Sequence, residues 1–196
     1  LLACVVACTL IVTTLSVLDY NGAIDMPSIQ AIMDTDFDEL TGQSYKTPRM
    51  CGTGIFNDPN DLSMIIVACI MICAAGMFYA GWGASRFALA APIGYLGYAL
   101  TLTQSRGGLL ALIAGCGALF YARFGIGKAA VLGAAGLPVL LAGFGGRQID
   151  FGGALGGGTG HSRAELWSAG LQEFKRSPLF GIGFHLYSEA AGQDAH

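Results

Sequence analysis

Hydrophobic residues in this chain come in long blocks, at 1–18, 62–82, 87–103, 107–121 and 129–144, and no other feature restricts its fold as much. The blocks show neither the 3.6-residue period of a surface helix nor the two-residue period of a half-buried strand. With 54% hydrophobic and 12% charged residues, the chain lies far from a soluble domain, where about a quarter of residues are charged. A backbone that crosses lipid must satisfy its own hydrogen bonds, so each block is expected to be a helix. The expected fold class is all-α: a polytopic membrane bundle of about five spans, some shorter than the roughly 20 residues a bilayer demands. Tilt, local thinning and boundaries shifted by several residues absorb that shortfall. Residues 1–144 form the transmembrane part, with an external loop at about 19–61, and 145–196 begin a large, partly helical external loop. Leu1 stands inside an apolar run and His196 in an ordinary polar stretch, so the chain reads as a piece cut at both ends.

Charge sets the orientation. Arg86 lies in one short connection and Arg123 with Lys128 in another, and neither connection holds an acid. The positive-inside rule puts both in the cytoplasm. Every Asp and Glu then falls on the opposite side, in 19–61 or 150–194, which in a Gram-negative cell is the periplasm. A net charge of −3 leaves no basic face for nucleic acid. Five of the six cysteines sit in apolar runs, where Cys packs as a small hydrophobe, so no disulfide framework is indicated.

On the external side, Thr103-Gln104-Ser105-Arg106 joins two spans. An arginine at that interface either snorkels toward lipid headgroups or clamps an anion with its planar fork. After the glycine-rich stretch 143–158, His161-Ser162-Arg163-Ala164-Glu165-Leu166-Trp167 opens a short amphipathic helix that ends at Ser177-Pro178. His161 or Ser162 is the expected cap, with Glu165 near the capping-box position. Arg163 is a surface cation or, beside that helix start, part of an anion site. His161, His185 and His196 show no paired-ligand spacing, so no metal site is expected. Before the second span, Asn57-Asp58-Pro59-Asn60 gathers turn formers, with Asn60 or Asp61 the expected cap. Gly125-Ile126-Gly127-Lys128 lacks the strand and the full motif of a phosphate-binding loop.

Four segments together resemble the O-antigen ligase and O-antigen polymerase superfamily: the run 54–62 before a span, Thr103-Gln104-Ser105-Arg106-Gly107-Gly108 between two spans, Ser162-Arg163 with Trp167, and the run 177–184 in the external loop. The resemblance implies a GT-C-like glycosyltransferase of the bacterial inner membrane with a periplasmic active face. Its donor would be a glycan on a polyprenyl pyrophosphate, its acceptor lipid A core, another glycan or a protein. It implies no cofactor and no metal. Arg106 and Arg163 match the family's pyrophosphate-contacting arginines, with Ser105 beside the substrate, and His196 stands where the family carries its catalytic histidine. Ligase, polymerase and protein O-oligosaccharyltransferase share these features. A different class also fits part of the pattern, a transporter or flippase for an anionic solute, in which Gly83, Gly94, Gly97 and Gly115 would support broken or close-packed helices.

Overall fold

The structure, a computed structural model, describes residues 1–27, 29, 32–37, 44–78, 80–144 and 159–178. The chain divides into two compact units, Leu1–Ile149 and Asp150–His196.

In the first unit, α1 (Leu2–Tyr20), α2 (Pro59–Met77), α3 (Ala90–Leu102) and α4 (Arg106–Gly143) carry the apolar blocks. Among the described residues, three helical stretches are long and apolar enough to cross a membrane: Leu2–Tyr20, Pro59–Met77 and Arg106–Pro138. α4 is not one straight rod, since Gly125 at φ 76°, ψ 171° breaks it where the sequence places the connection between its last two blocks. A continuous helix of 38 residues would run about 57 Å, twice the length of α1 or α2. Phe144, past its far end, is nevertheless buried in the core cluster, so the chain turns back at the break. α3 is shorter than its block, because residues 80–89 form tight 3-10 turns with a second glycine break at Gly83 (φ 54°).

The core is the face that α2 presents to its neighbours, built on Leu62, Ile66, Cys69 and Ile70, with Leu96 and Leu100 of α3 and Leu109 and Leu112 of α4. α1 meets α2 through small polar residues, Thr9, Thr13 and Ser16, all buried; Cys69 Sγ donates to Thr9 Oγ1 at 3.3 Å. Small residues at such a contact let helix backbones approach where no hydrophobic drive separates helix from lipid. The outer faces stay apolar: Ile11, Met64, Leu110 and Val131 are exposed, as lipid-facing residues are.

The loop between α1 and α2 departs from an all-helical reading. β1 (Ile32–Phe37) pairs antiparallel with β2 (Ser44–Arg49), Ile32 opposite Arg49. β1 reads Ile32-Met33-Asp34-Thr35-Asp36-Phe37, without the polar–apolar alternation that marks a strand in sequence, so the ribbon leaves little signal beside the apolar blocks.

The second unit contains α5 (Thr159–Arg176), which stops before Ser177-Pro178 as expected from the sequence. It begins earlier than expected, however. His161 and Ser162 lie inside the helix, so neither is its cap and the capping box with Glu165 does not form at that point. Trp167, Leu171 and Phe174 recur at helical spacing, all exposed.

Candidate functional site

The site begins with the way two helices start. Asp58 is extended at φ −97°, ψ 134°, and its carboxylate accepts from Asn60 N at 2.6 Å, so Asp58 caps α2 with Pro59 at the first helical position. This corrects the expectation that Asn60 or Asp61 holds the cap. The Asn60 side chain is thereby released for other work, and its Oδ1 accepts from Ser105 Oγ at 2.9 Å and from Arg49 Nη2 at 3.3 Å.

Ser105 caps α4. Its Oγ accepts from Gly108 N at 3.1 Å, and its carbonyl accepts from Leu109 N at 3.2 Å. Ser63 Oγ, 2.7 Å from the Asn60 carbonyl oxygen, lies 3.1 Å from Ser105 Oγ and shares its hydrogen between them. Ser105 and Ser63 are 1% and 0% exposed, so these bonds form out of water, where leaving a partner unmet costs about 1–3 kcal/mol. The turn into α4 runs through Gln104, the one described non-glycine residue in the left-handed region (φ 51°). Arg106 follows as the first residue of α4, half-buried, with exposed Gly107 next to it. A cation there opposes the helix dipole, a charge placement that a bound anion would reverse in sign.

Arg49 closes the cluster. It is 7% exposed and donates from Nε to the Thr103 carbonyl at 3.1 Å, while the adjacent Met50 N donates to the Leu102 carbonyl at 3.0 Å. Cys51 beside it is buried, and that burial pushes its thiol up from the ordinary value, so it packs as a neutral group. One end of the helical unit thus joins the end of β2, the start of α2 and the α3–α4 turn.

Close backbone contact sustains this arrangement. A β-carbon on Gly108 would stand 2.8 Å from both Cβ and Oγ of Ser63 and 3.1 Å from Leu100 Cδ1. Gly108→Val should therefore displace Ser63 and lower stability by about 1–3 kcal/mol. A thermal melt of the purified protein checks this, and an unchanged midpoint contradicts it.

The opposite end of the same helices is different in character. Phe78 packs edge-on against Phe124 with ring centres 5.7 Å apart, and Arg86, Phe87, Phe120 and Arg123 line a cavity there. Arg86 and Arg123 therefore share one end, and Arg106 stands at the other. Among the glycines weighed for transport, Gly83 breaks the chain near Arg86 and Gly115 packs on Met71 Sδ, whereas Gly94 and Gly97 meet open space.

Of the residues expected from the sequence, Ser105 and Arg106 are adjacent in this cluster. Arg163 belongs to the second unit, within α5 rather than at its start, which removes the helix N-terminus from its case. His185 and His196 lie outside the described residues. Arg49, Asn60 and Ser63 were missed as site residues. Arg49 is one of two cations in 19–61, and its partner Thr103 is 54 residues away, a separation that no local pattern discloses.

The family model for O-antigen ligase matches residues 91–195, more than half of the chain. The chain belongs to the O-antigen ligase family. Neither a curated protein nor a solved structure matches it. The O-antigen ligase match covers Ser105, Arg106 and Arg163 and makes the helical unit a membrane bundle, as its apolar outer faces require. At the family level it assigns glycan transfer, with lipid-linked glycan and acceptor as substrates. Arg49, Asn60 and Ser63 precede the matched segment.

Proposed function

We propose that this chain supplies the donor-binding part of an inverting, metal-independent glycosyltransferase that moves a glycan from a polyprenyl-pyrophosphate carrier to an acceptor, in the manner of an O-antigen ligase. The observation that carries this reading is Arg106: a guanidinium on the first turn of a membrane helix, set on a buried hydrogen-bonded cap at the end away from Arg86 and Arg123. A carrier diphosphate at a membrane surface is the anion such a place suits. The face is the periplasmic one of the inner membrane, because cationic short connections stay in the cytoplasm.

In the reaction, the acceptor hydroxyl oxygen attacks the sugar C1 as the bond from C1 to the phosphate oxygen breaks. His196 takes the hydroxyl proton, and the polyprenyl pyrophosphate leaves with the bonding pair. Arg106 and Arg163 would stabilise the charge that grows on the leaving group. Attack from the face opposite the leaving group inverts the anomeric centre.

Incubating the full-length protein with a labelled polyprenyl-pyrophosphate glycan and lipid A core, glycan or protein acceptors tests this. New glycosidic product supports the reading, whereas carrier movement between leaflets without product supports the flippase. Sidedness has its own check. In a background lacking the native cysteines, Ile55→Cys should react with an impermeant thiol reagent added outside spheroplasts, and Lys128→Cys only after lysis. The reverse pattern contradicts a periplasmic face.

A further inference from the structure

We propose that Arg49 is a positioning residue for the donor: through Asn60 and Ser105 it fixes the first turn of α4, and with it the place of the Arg106 guanidinium. The inference rests on the reading of Arg106 as a diphosphate ligand.

Three observations lead there. Arg49 is buried, yet it reaches the α3–α4 turn on two sides, through the Thr103 carbonyl before the cap and through Asn60 Oδ1, which also holds the cap hydroxyl. Gln104 sits between those two anchors at φ 51°, a conformation an L-residue keeps only when its surroundings hold it. Arg106 is the next residue after the cap, so a rotation of that turn swings its guanidinium by the length of the side chain.

The fork of an arginine is what the geometry uses. Nε and Nη2 lie in one rigid plane and meet two acceptors on different elements, which an ammonium on a flexible stem does not reproduce. Asn60 and Ser63 complete the device from α2. All three precede the segment that carries the family match, so this chain's own external loop takes part in holding the donor site.

The test is steady-state transfer by the full-length protein, with activity expressed per folded molecule. Arg49→Gln should lower kcat/KM for the lipid-linked donor by about 10²-fold, the loss expected when a binding group is misplaced by about 1 Å. KM for the acceptor should stay unchanged, and Arg49→Lys should fail to restore the donor value. If Arg49→Gln does not fold, Asn60→Ala removes the same link, leaves the Asp58 cap on the Asn60 backbone, and should show the same selective donor defect. Full activity in Arg49→Lys, a normal donor kcat/KM in the folded variants, or an equal rise in both KM values overturns the inference. Arg106→Ala assayed alongside separates the two claims: if it too is normal, the diphosphate reading falls, and if it alone is inactive, only the role of Arg49 falls.

Discussion

Arg106→Ala in the full-length protein should lower glycan transfer by about 10²- to 10³-fold, the effect of removing one preorganised electrostatic partner of a developing charge. The residue begins α4 on a cap made by Ser105, whose bonds to Asn60 and Gly108 N use no atom of the Arg106 side chain. Truncation thus leaves the cap in place. It also removes a cation from the positive end of a helix, a placement that disfavours folding by about 0.3–1 kcal/mol. Membrane insertion and amount should therefore stay near wild type while product formation collapses. Arg106→Lys keeps the charge without the planar fork and should recover only part of the rate. Quantifying transfer against membrane-inserted protein decides the matter; transfer within a few-fold of wild type in Arg106→Ala would remove the residue from the mechanism.

His196→Ala should cost about 10²- to 10⁴-fold, the usual contribution of a general base. In the proposed mechanism the proton it takes belongs to the acceptor hydroxyl, so the variant should still bind the lipid-linked donor with normal KM and fail in turnover. A base works only when neutral. Wild-type activity should accordingly be present at higher pH and be lost as falling pH protonates the imidazole, whereas the residual activity of His196→Ala should not show that acid limb. A pH–rate profile with the same acid limb in both proteins would assign the titration to another group and take the base role from His196.

Much of the architecture was legible in the residues because lipid simplifies the problem. Apolar blocks gave the helices, and the cations of the short connections marked one end, where Arg86 and Arg123 line the same cavity. Glycine at 125 fell at the expected connection and supplies the positive φ that breaks α4. Less legible were features that depend on pairing across long stretches of chain. The β1–β2 ribbon is one, being a short polar pattern beside strong hydrophobic ones. The cap of α2 is another: three residues of the run 58–61, Asp58, Asn60 and Asp61, are all chemically suited to it, and Pro59 at the first helical position decides for Asp58. For the site, a polar run between two spans exposed Ser105 and Arg106. Arg49 stayed hidden because its value comes from Asn60 and Thr103, which approach it only after three helices have packed.

The pinning of Arg49 and Met50 onto the α3–α4 turn has a consequence for how such proteins can diversify. Two consecutive residues are fastened to Leu102 and Thr103 directly after the ribbon ends, so the backbone downstream is registered independently of what precedes it. Lengthening or rewriting the stretch that joins α1 to the ribbon is absorbed before it reaches the α3–α4 turn. On the proposed function, the stretch before the ribbon can then vary without moving Arg106, with the clasp at 49–50 as the boundary.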